Sequence, residues 1–256
     1  MIPIGYVECA QHYRYEAARQ ASIAPDNEAW IQLEANQEFE EGLIGLADFA
    51  RIWVLYELHL NETWHPLVEP PRAGMHKLGV FATRSPHRPN RLGMSCVRLL
   101  DIDGGRLHVG QHDLLDGTPV LDIKPYLPYA DAFPDARAGW VDACKEQVFA
   151  LDFSAAQQQL DWVAAHAGWD LVNFLQVQLR TDPTDARRKR IEKTEHGFRI
   201  AFRTWRVDYR IDDAMVRVEV FAIASGYTTA ALADEIVDKY GDKAVHRAFI
   251  AAFFEN

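Results

Sequence analysis

Apolar residues in the first half of the chain come in short runs broken by glycine and proline. Ile2 to Glu8, Ala29 to Leu33 and Ala50 to Leu60 read as strands, the third nearly continuous in apolar residues, with a polar loop between the first two. Met94 to Ile102 and Arg106 to Val109 flank Asp103-Gly104-Gly105, where glycines supply the positive φ of a tight hairpin, and Pro119 to Ile123 adds another strand. Short, mostly antiparallel strands with Gly and Pro turns fit a small barrel or sandwich. From about Phe153 the period changes from two to 3.6. Ser154 and Gln157 have the spacing of a capping box opening a helix that runs to Ala167, Gly168 suits its C-terminal cap, and Asp170 starts a second helix reaching Arg180. Phe198 to Ile211 and Ala214 to Ala224 predict a hairpin around Asp212-Asp213. Two further helices follow, Ala230 to Tyr240 and Lys243 to Phe254, in which Leu232, Ile236, Phe249 and Phe253 recur at the helical spacing of a packing face.

Composition narrows the class. The 256 residues are 48% hydrophobic, enough for a core in one large domain or in a medium and a small one. No run of apolar residues is long enough to span a bilayer, and Met1 to Gly5 lacks a charged region ahead of an apolar one, so a cytoplasmic protein without a membrane partner is expected. Cys9, Cys96 and Cys144 lie far apart without a CxxC pair, which suits buried thiols. Ten histidines show no HExxH spacing, so no metal is expected. The chain has neither GxGxxG nor GxxxxGK[ST], which disfavours Rossmann-type nucleotide binding and phosphoryl transfer. A formal net charge of −10 means that any nucleic-acid surface must be local; Arg187-Arg188-Lys189-Arg190 with Lys193 is the basic candidate.

Three strings carry more chemistry than this patterning. They are Ala82-Thr-Arg-Ser-Pro-His-Arg-Pro-Asn90, Gly93-Met-Ser95 and Asp116-Gly-Thr-Pro-Val-Leu-Asp-Ile-Lys-Pro-Tyr126, and each proline in the first fixes a turn that displays an arginine. In that order they resemble the TsaA-like family of S-adenosylmethionine-dependent methyltransferases, whose bacterial members methylate N6 of a threonylcarbamoylated adenosine beside the tRNA anticodon. The resemblance covers Ile4 to Phe133 and, more weakly, Leu171 to Ala224. It implies a mainly β, α+β protein: a single-sheet antiparallel β-barrel over residues 1–150, and a small α+β domain over 151–256 whose last helices are an extension to the family. It also implies S-adenosyl-L-methionine as cofactor, tRNA as partner, and a homodimer.

The same resemblance nominates residues. For the cofactor these are Arg19 and Gln20, His59 and Leu60, Arg84, Cys96, and Asp116-Gly117-Thr118. Arg84 suits the donor's carboxylate through a charge-assisted bond, and Gly117 permits close backbone approach. For RNA or substrate they are Arg88, Asp182, Pro183, Arg187, Arg188 and Arg190. An exocyclic amine is a weak nucleophile and needs a proton acceptor, for which Asp116 and Asp182 are the candidates. After Asp182-Pro183 the chain reads Thr184-Asp185-Ala186-Arg187 instead of the family's arginine, proline and tyrosine. That leaves open another RNA or a small molecule as acceptor, a non-catalytic cofactor-binding module, and an interaction protein using the apolar C-terminal helices.

Overall fold

Residues that alternate between core and surface along the first half close into a barrel. A computed structural model describes all residues except 36–37, 74–75, 145, 234–237, 239 and 256. The chain divides into two units, Met1–Lys145 and Glu146–Asn256.

In the first unit the strands are β1 (Gly5–Cys9), β2 (Glu28–Leu33), β3 (Arg51–Glu57), the short pair β4 (Leu67–Val68) and β5 (Leu78–Gly79), β6 (Leu92–Asp103), β7 (Arg106–Gly110) and β8 (Pro119–Pro125). Six of them form a closed barrel in the order β1-β2-β7-β6-β3-β8, every pairing antiparallel. Closure removes the exposed edges of an open sheet. Its core is Val7, Ile31, Ile52, Val54, Val97, Leu107, Val109 and Val120, inward members of period-two strands. Gly104 at φ 54° makes the predicted hairpin between Asp103 and Arg106.

The third strand is shorter than its apolar run predicts. It ends at Glu57 because Leu58 N bonds Arg91 O, His59 N bonds Glu57 O and Asn61 N bonds Leu58 O. The chain thus turns at His59 and Leu60 instead of continuing the sheet. Similarly, β1 starts at Gly5 rather than Ile2, which is exposed.

The second unit holds β9 (Ala150–Asp152), β10 (Ile191–Thr194), β11 (Gly197–Phe202), β12 (Trp205–Asp212) and β13 (Arg217–Ser225) in the order β10-β11-β12-β13-β9. The strand predicted over Phe198 to Ile211 is two strands, because the chain reverses at Arg203 (φ 49°) and Thr204. The parallel edge strand β9 and the strand β10 carry no alternation that isolates them in the sequence. After the four-residue α1 (Pro128–Asp131) of the first unit, the helices here are α2 (Gln157–Ala167), α3 (Leu171–Leu179), α4 (Thr229–Ala233) and α5 (Lys243–Phe254). No capping box forms at α2: Ser154 donates to Asp152 Oδ1 at 2.5 Å, and Ala156 occupies the N-cap. Asp170 does cap α3, accepting from Asn173 N at 2.8 Å, and Gly168 closes α2 at φ 70°.

The C-terminal extension packs on this unit. Phe249 of α5 is fully buried, with its ring 5.3 Å from Trp162 of α2 and 5.0 Å from Trp205 of β12. Burying such an aromatic contributes about 1.5–3 kcal/mol by area alone. The predicted helix from Ala230 to Tyr240 is described only as α4; Ile236 lies outside the described residues.

Candidate functional site

A cleft of about 710 Å³ opens on the barrel unit. Four pieces of chain build it: the loop of Arg14 to Ser22 after β1, the end of β3 with its turn through Asn61, the Thr83 to Arg88 turn with the start of β6, and the segment from Asp113 to Thr118.

The Thr83 to Arg88 turn is fixed by its own polar atoms. Thr83 Oγ1 donates to Val80 O at 2.8 Å and accepts from Ser85 N at 3.2 Å, and Ser85 Oγ accepts from His87 N at 3.3 Å. Arg88 clamps the base, its Nη1 donating to Thr83 O at 2.9 Å and Val80 O at 3.3 Å. A turn so bonded holds Arg84 at the cleft without help from a ligand.

The Gly93-Met-Ser95 string has a specific physical basis. Gly93 lies directly across from Tyr56 in the β3–β6 pairing, and a Cβ on Gly93 would sit 2.3 Å from Tyr56 Cε2. Only glycine lets the phenol ring cross that strand. The ring then reaches Ser95, with Tyr56 Oη and Ser95 Oγ 3.2 Å apart, and Ser95 Oγ donates to Asp113 Oδ1 at 2.5 Å. With the serine proton given to Asp113, Tyr56 must donate to the serine oxygen. Burial pushes the Tyr56 phenol up and raises the Asp113 carboxyl above its usual range, while the Ser95 hydrogen bond and the Arg84 charge oppose the latter shift.

Asp113 is presented by a strained, well-anchored loop. Gln111 takes φ 56°, its side chain accepts from Arg51 at 2.5 Å, and its backbone N donates to Asn27 O at 2.7 Å. The next residue, His112, is fully buried: its Nδ1 accepts from Leu114 N, Asn27 Nδ2 donates to its carbonyl, and burial lowers its pKa to about 4. No sequence motif marked Asp113, Ser95 or Tyr56 as a unit; the buried glycine–tyrosine crossing that joins them needs the barrel register.

Of the cofactor residues expected from sequence, Arg19, Gln20, His59, Leu60, Arg84, Cys96 and Thr118 line this cleft. Asp116 and Gly117 do not. Asp116 Oδ1 accepts from Cys9 N at 3.1 Å and Oδ2 pairs with His12 Nδ1 at 3.1 Å, so this carboxylate ties the segment to the end of β1. Gly117 serves the turn, at φ 71°. The carboxylate of this segment that lines the cleft is Asp113. Arg88 also lines the cleft, yet its Nη1 is committed to carbonyls of its own turn.

Asp182 belongs to the second unit, in a left-handed turn at φ 54°. Tyr209 Oη donates to the carbonyl of buried Pro183 at 2.5 Å. The basic run that follows is not one solvated patch. Lys189 is buried, its Nζ donating to Gln178 O at 2.5 Å, to Asp182 O at 3.0 Å and to Thr181 O, a cation capping the C-terminal end of α3. Arg188 pairs with Asp185 at 3.2 Å, whereas Arg187 and Arg190 are exposed. Among the described residues no three His, Cys, Asp or Glu side chains converge as metal ligands, and no helix is long and apolar enough to cross a membrane.

The donor groups of the cleft suit S-adenosylmethionine, which is zwitterionic at one end and a nucleoside at the other. Arg14, Arg19 and Arg84 line the cleft together with Asp113, whose carboxyl feels the Arg84 charge, while Leu58, Leu60, Leu92, Met94 and Leu114 supply apolar wall.

Comparison with known proteins agrees with this architecture. The chain is 34% identical to a tRNA (adenine(37)-N6)-methyltransferase of Escherichia coli over 227 residues, 86% of this chain and 95% of that protein. It is 39% identical to a protein of the same name from Eikenella corrodens, covering 70% of this chain and 99% of the relative. The crystal structure of TrmO from Pseudomonas aeruginosa superimposes with a TM-score of 0.63 at 31% identity, over 88% of this chain and 98% of that one. The family model for the tRNA-methyltransferase O N-terminal domain matches residues 6–132, and with relatives of this identity covered almost end to end, the chain belongs to the tRNA-methyltransferase O family.

Proposed function

We propose that this protein methylates N6 of an adenosine in tRNA with S-adenosyl-L-methionine as donor, and that the acceptor is the threonylcarbamoylated adenosine beside the anticodon. The observation that carries the reading is the cleft, in which the rigid Thr83 to Arg88 turn, the Gly93 crossing and Asp113 meet. When bound, the cofactor supplies an activated methyl group on a positively charged sulfur. Arg84 and Arg19 would hold its carboxylate, and His59, Leu60 and Thr118 would lie against its nucleoside. The chain's part is otherwise alignment and exclusion of water, which can lower a barrier by about 7–11 kcal/mol.

On the RNA side, exposed Arg187 and Arg190 of the second unit are the cations suited to phosphate. Arg188, bonded to Asp185, supports that segment, and Asp182-Pro183 shape the turn ahead of it. The deciding experiment is mass spectrometry of tRNA nucleosides from a strain lacking the gene and from its complemented counterpart. N6-methylated threonylcarbamoyladenosine should vanish in the first and return in the second. An unchanged nucleoside profile refutes the reading, and loss of a different methylated nucleoside refutes its acceptor alone.

A further inference from the structure

Beside Asp113 the cleft is lined by the charged or basic groups Arg14, Arg19, Arg84, Arg88, Glu57 and His59, and by the weakly acidic Tyr56 and Cys96. Glu57, the other carboxylate, is occupied by Arg91 at 2.7 Å. Asp113 has one oxygen fixed by Ser95 at 2.5 Å and Ser95 in turn held by Tyr56, and no ion pair engages it among the described residues. Backbone N–H groups of Asp113 itself and of Ala21 also hold the carboxylate, so it is fixed in orientation where it lines the ligand cleft and can receive a proton there.

We propose that Asp113 accepts the proton released by the acceptor nitrogen, with Ser95 and Tyr56 as the positioning residues that aim its carboxylate. The inference rests on the methyl-transfer reading above. As the nitrogen lone pair forms the new N–C bond, the S–C bond of the donor breaks with its pair left on sulfur. The N–H proton then passes to Asp113, and from there to solvent through the mouth of the cleft. Burial makes this carboxylate a stronger base than an ordinary one, which moves it toward the range where general bases are efficient.

The test compares wild type with Asp113→Asn and Ser95→Ala. Two readouts are taken: calorimetric affinity for S-adenosylhomocysteine, and the single-turnover rate of tRNA methylation against pH. Asp113→Asn should bind S-adenosylhomocysteine within about threefold of wild type, and lose about 100-fold or more in single-turnover rate. The wild-type rate should fall on the acid side as Asp113 protonates, and that limb should be absent from Asp113→Asn. In Ser95→Ala the limb should move to higher pH, because the serine hydrogen bond stabilises the charged carboxylate. An Asp113→Asn rate and acid limb equal to wild type overturn the proposal. So does a loss of S-adenosylhomocysteine affinity as large as the loss of rate, which would make Asp113 a cofactor anchor. A wild type that methylates no tRNA overturns the functional reading, and this inference with it.

Discussion

Two polar networks in this protein share the same grammar and differ in what surrounds them. In the barrel unit a tyrosine, a serine and an aspartate meet, with the hydroxyl 2.5 Å from the carboxylate. In the second unit Thr204 Oγ1 donates to Asp242 Oδ2 at 2.5 Å, Tyr227 Oη donates to Oδ1 at 2.8 Å, and His246 Nε2 lies 3.0 Å from the threonine oxygen. Thr, His and Asp in contact look like a nucleophile with its base. Yet His246 and Trp205 are fully sealed, their rings stacked 3.9 Å apart, and burial lowers the His246 pKa so that the imidazole stays neutral. No substrate can reach that threonine. Only the barrel network opens on a cleft, so accessibility rather than residue type separates a site from a fastening, here the one that holds α5 to β12.

The largest effect should come from breaking the sealed network. Asp242→Ala leaves Thr204, Tyr227 and His246 without their shared acceptor, and should destabilise the second unit by about 3–5 kcal/mol. Denaturant melts followed by tryptophan fluorescence would measure it. Cofactor affinity should be unaltered, and a loss of cofactor binding would show that the sealed network is not merely a fastening.

A pH dependence should come next, from the loop that presents Asp113. Folded His112 titrates at about 4 against 6.5 for the free side chain, so between those values the unfolded chain binds more protons. Stability should therefore fall as the pH drops from 6.5 toward 4, by about 3 kcal/mol in full. Melts of wild type and His112→Gln at stepped pH would isolate that share; equal slopes would mean that the buried imidazole is not its source.

Arg84→Ala should have the smallest effect, weakening S-adenosylmethionine binding by about 1.5–3 kcal/mol, the range for hydrogen bonds to charged groups. Its melting temperature should stay near that of wild type, because the turn is bonded through Thr83, Ser85 and Arg88. Calorimetry with unchanged affinity would remove Arg84 from the cofactor site and blunt the contrast between open and sealed networks.

Much of the barrel was legible in order: alternating strands, the Asp103-Gly-Gly hairpin and the three motif strings are local signals, fixed by side-chain period and by glycine and proline backbone preferences. The Asp170 cap and the apolar face of α5 were legible for the same reason. The tertiary structure decided what depends on chains meeting from far apart. It ended β3 at Glu57 through a bond to Arg91, so that His59 and Leu60 turn into the cleft. It turned Ser154 back to Asp152 in place of a helix cap, and took Lys189 from the basic run to cap α3. It also gave Asp116 to the end of β1, and brought Tyr56, Ser95 and Asp113 together across two strands and a loop. A sequence pattern carries periodicity and turn chemistry because both act within a few residues. Which carboxylate faces a ligand depends on barrel register and burial, which exist only once the sheet has closed.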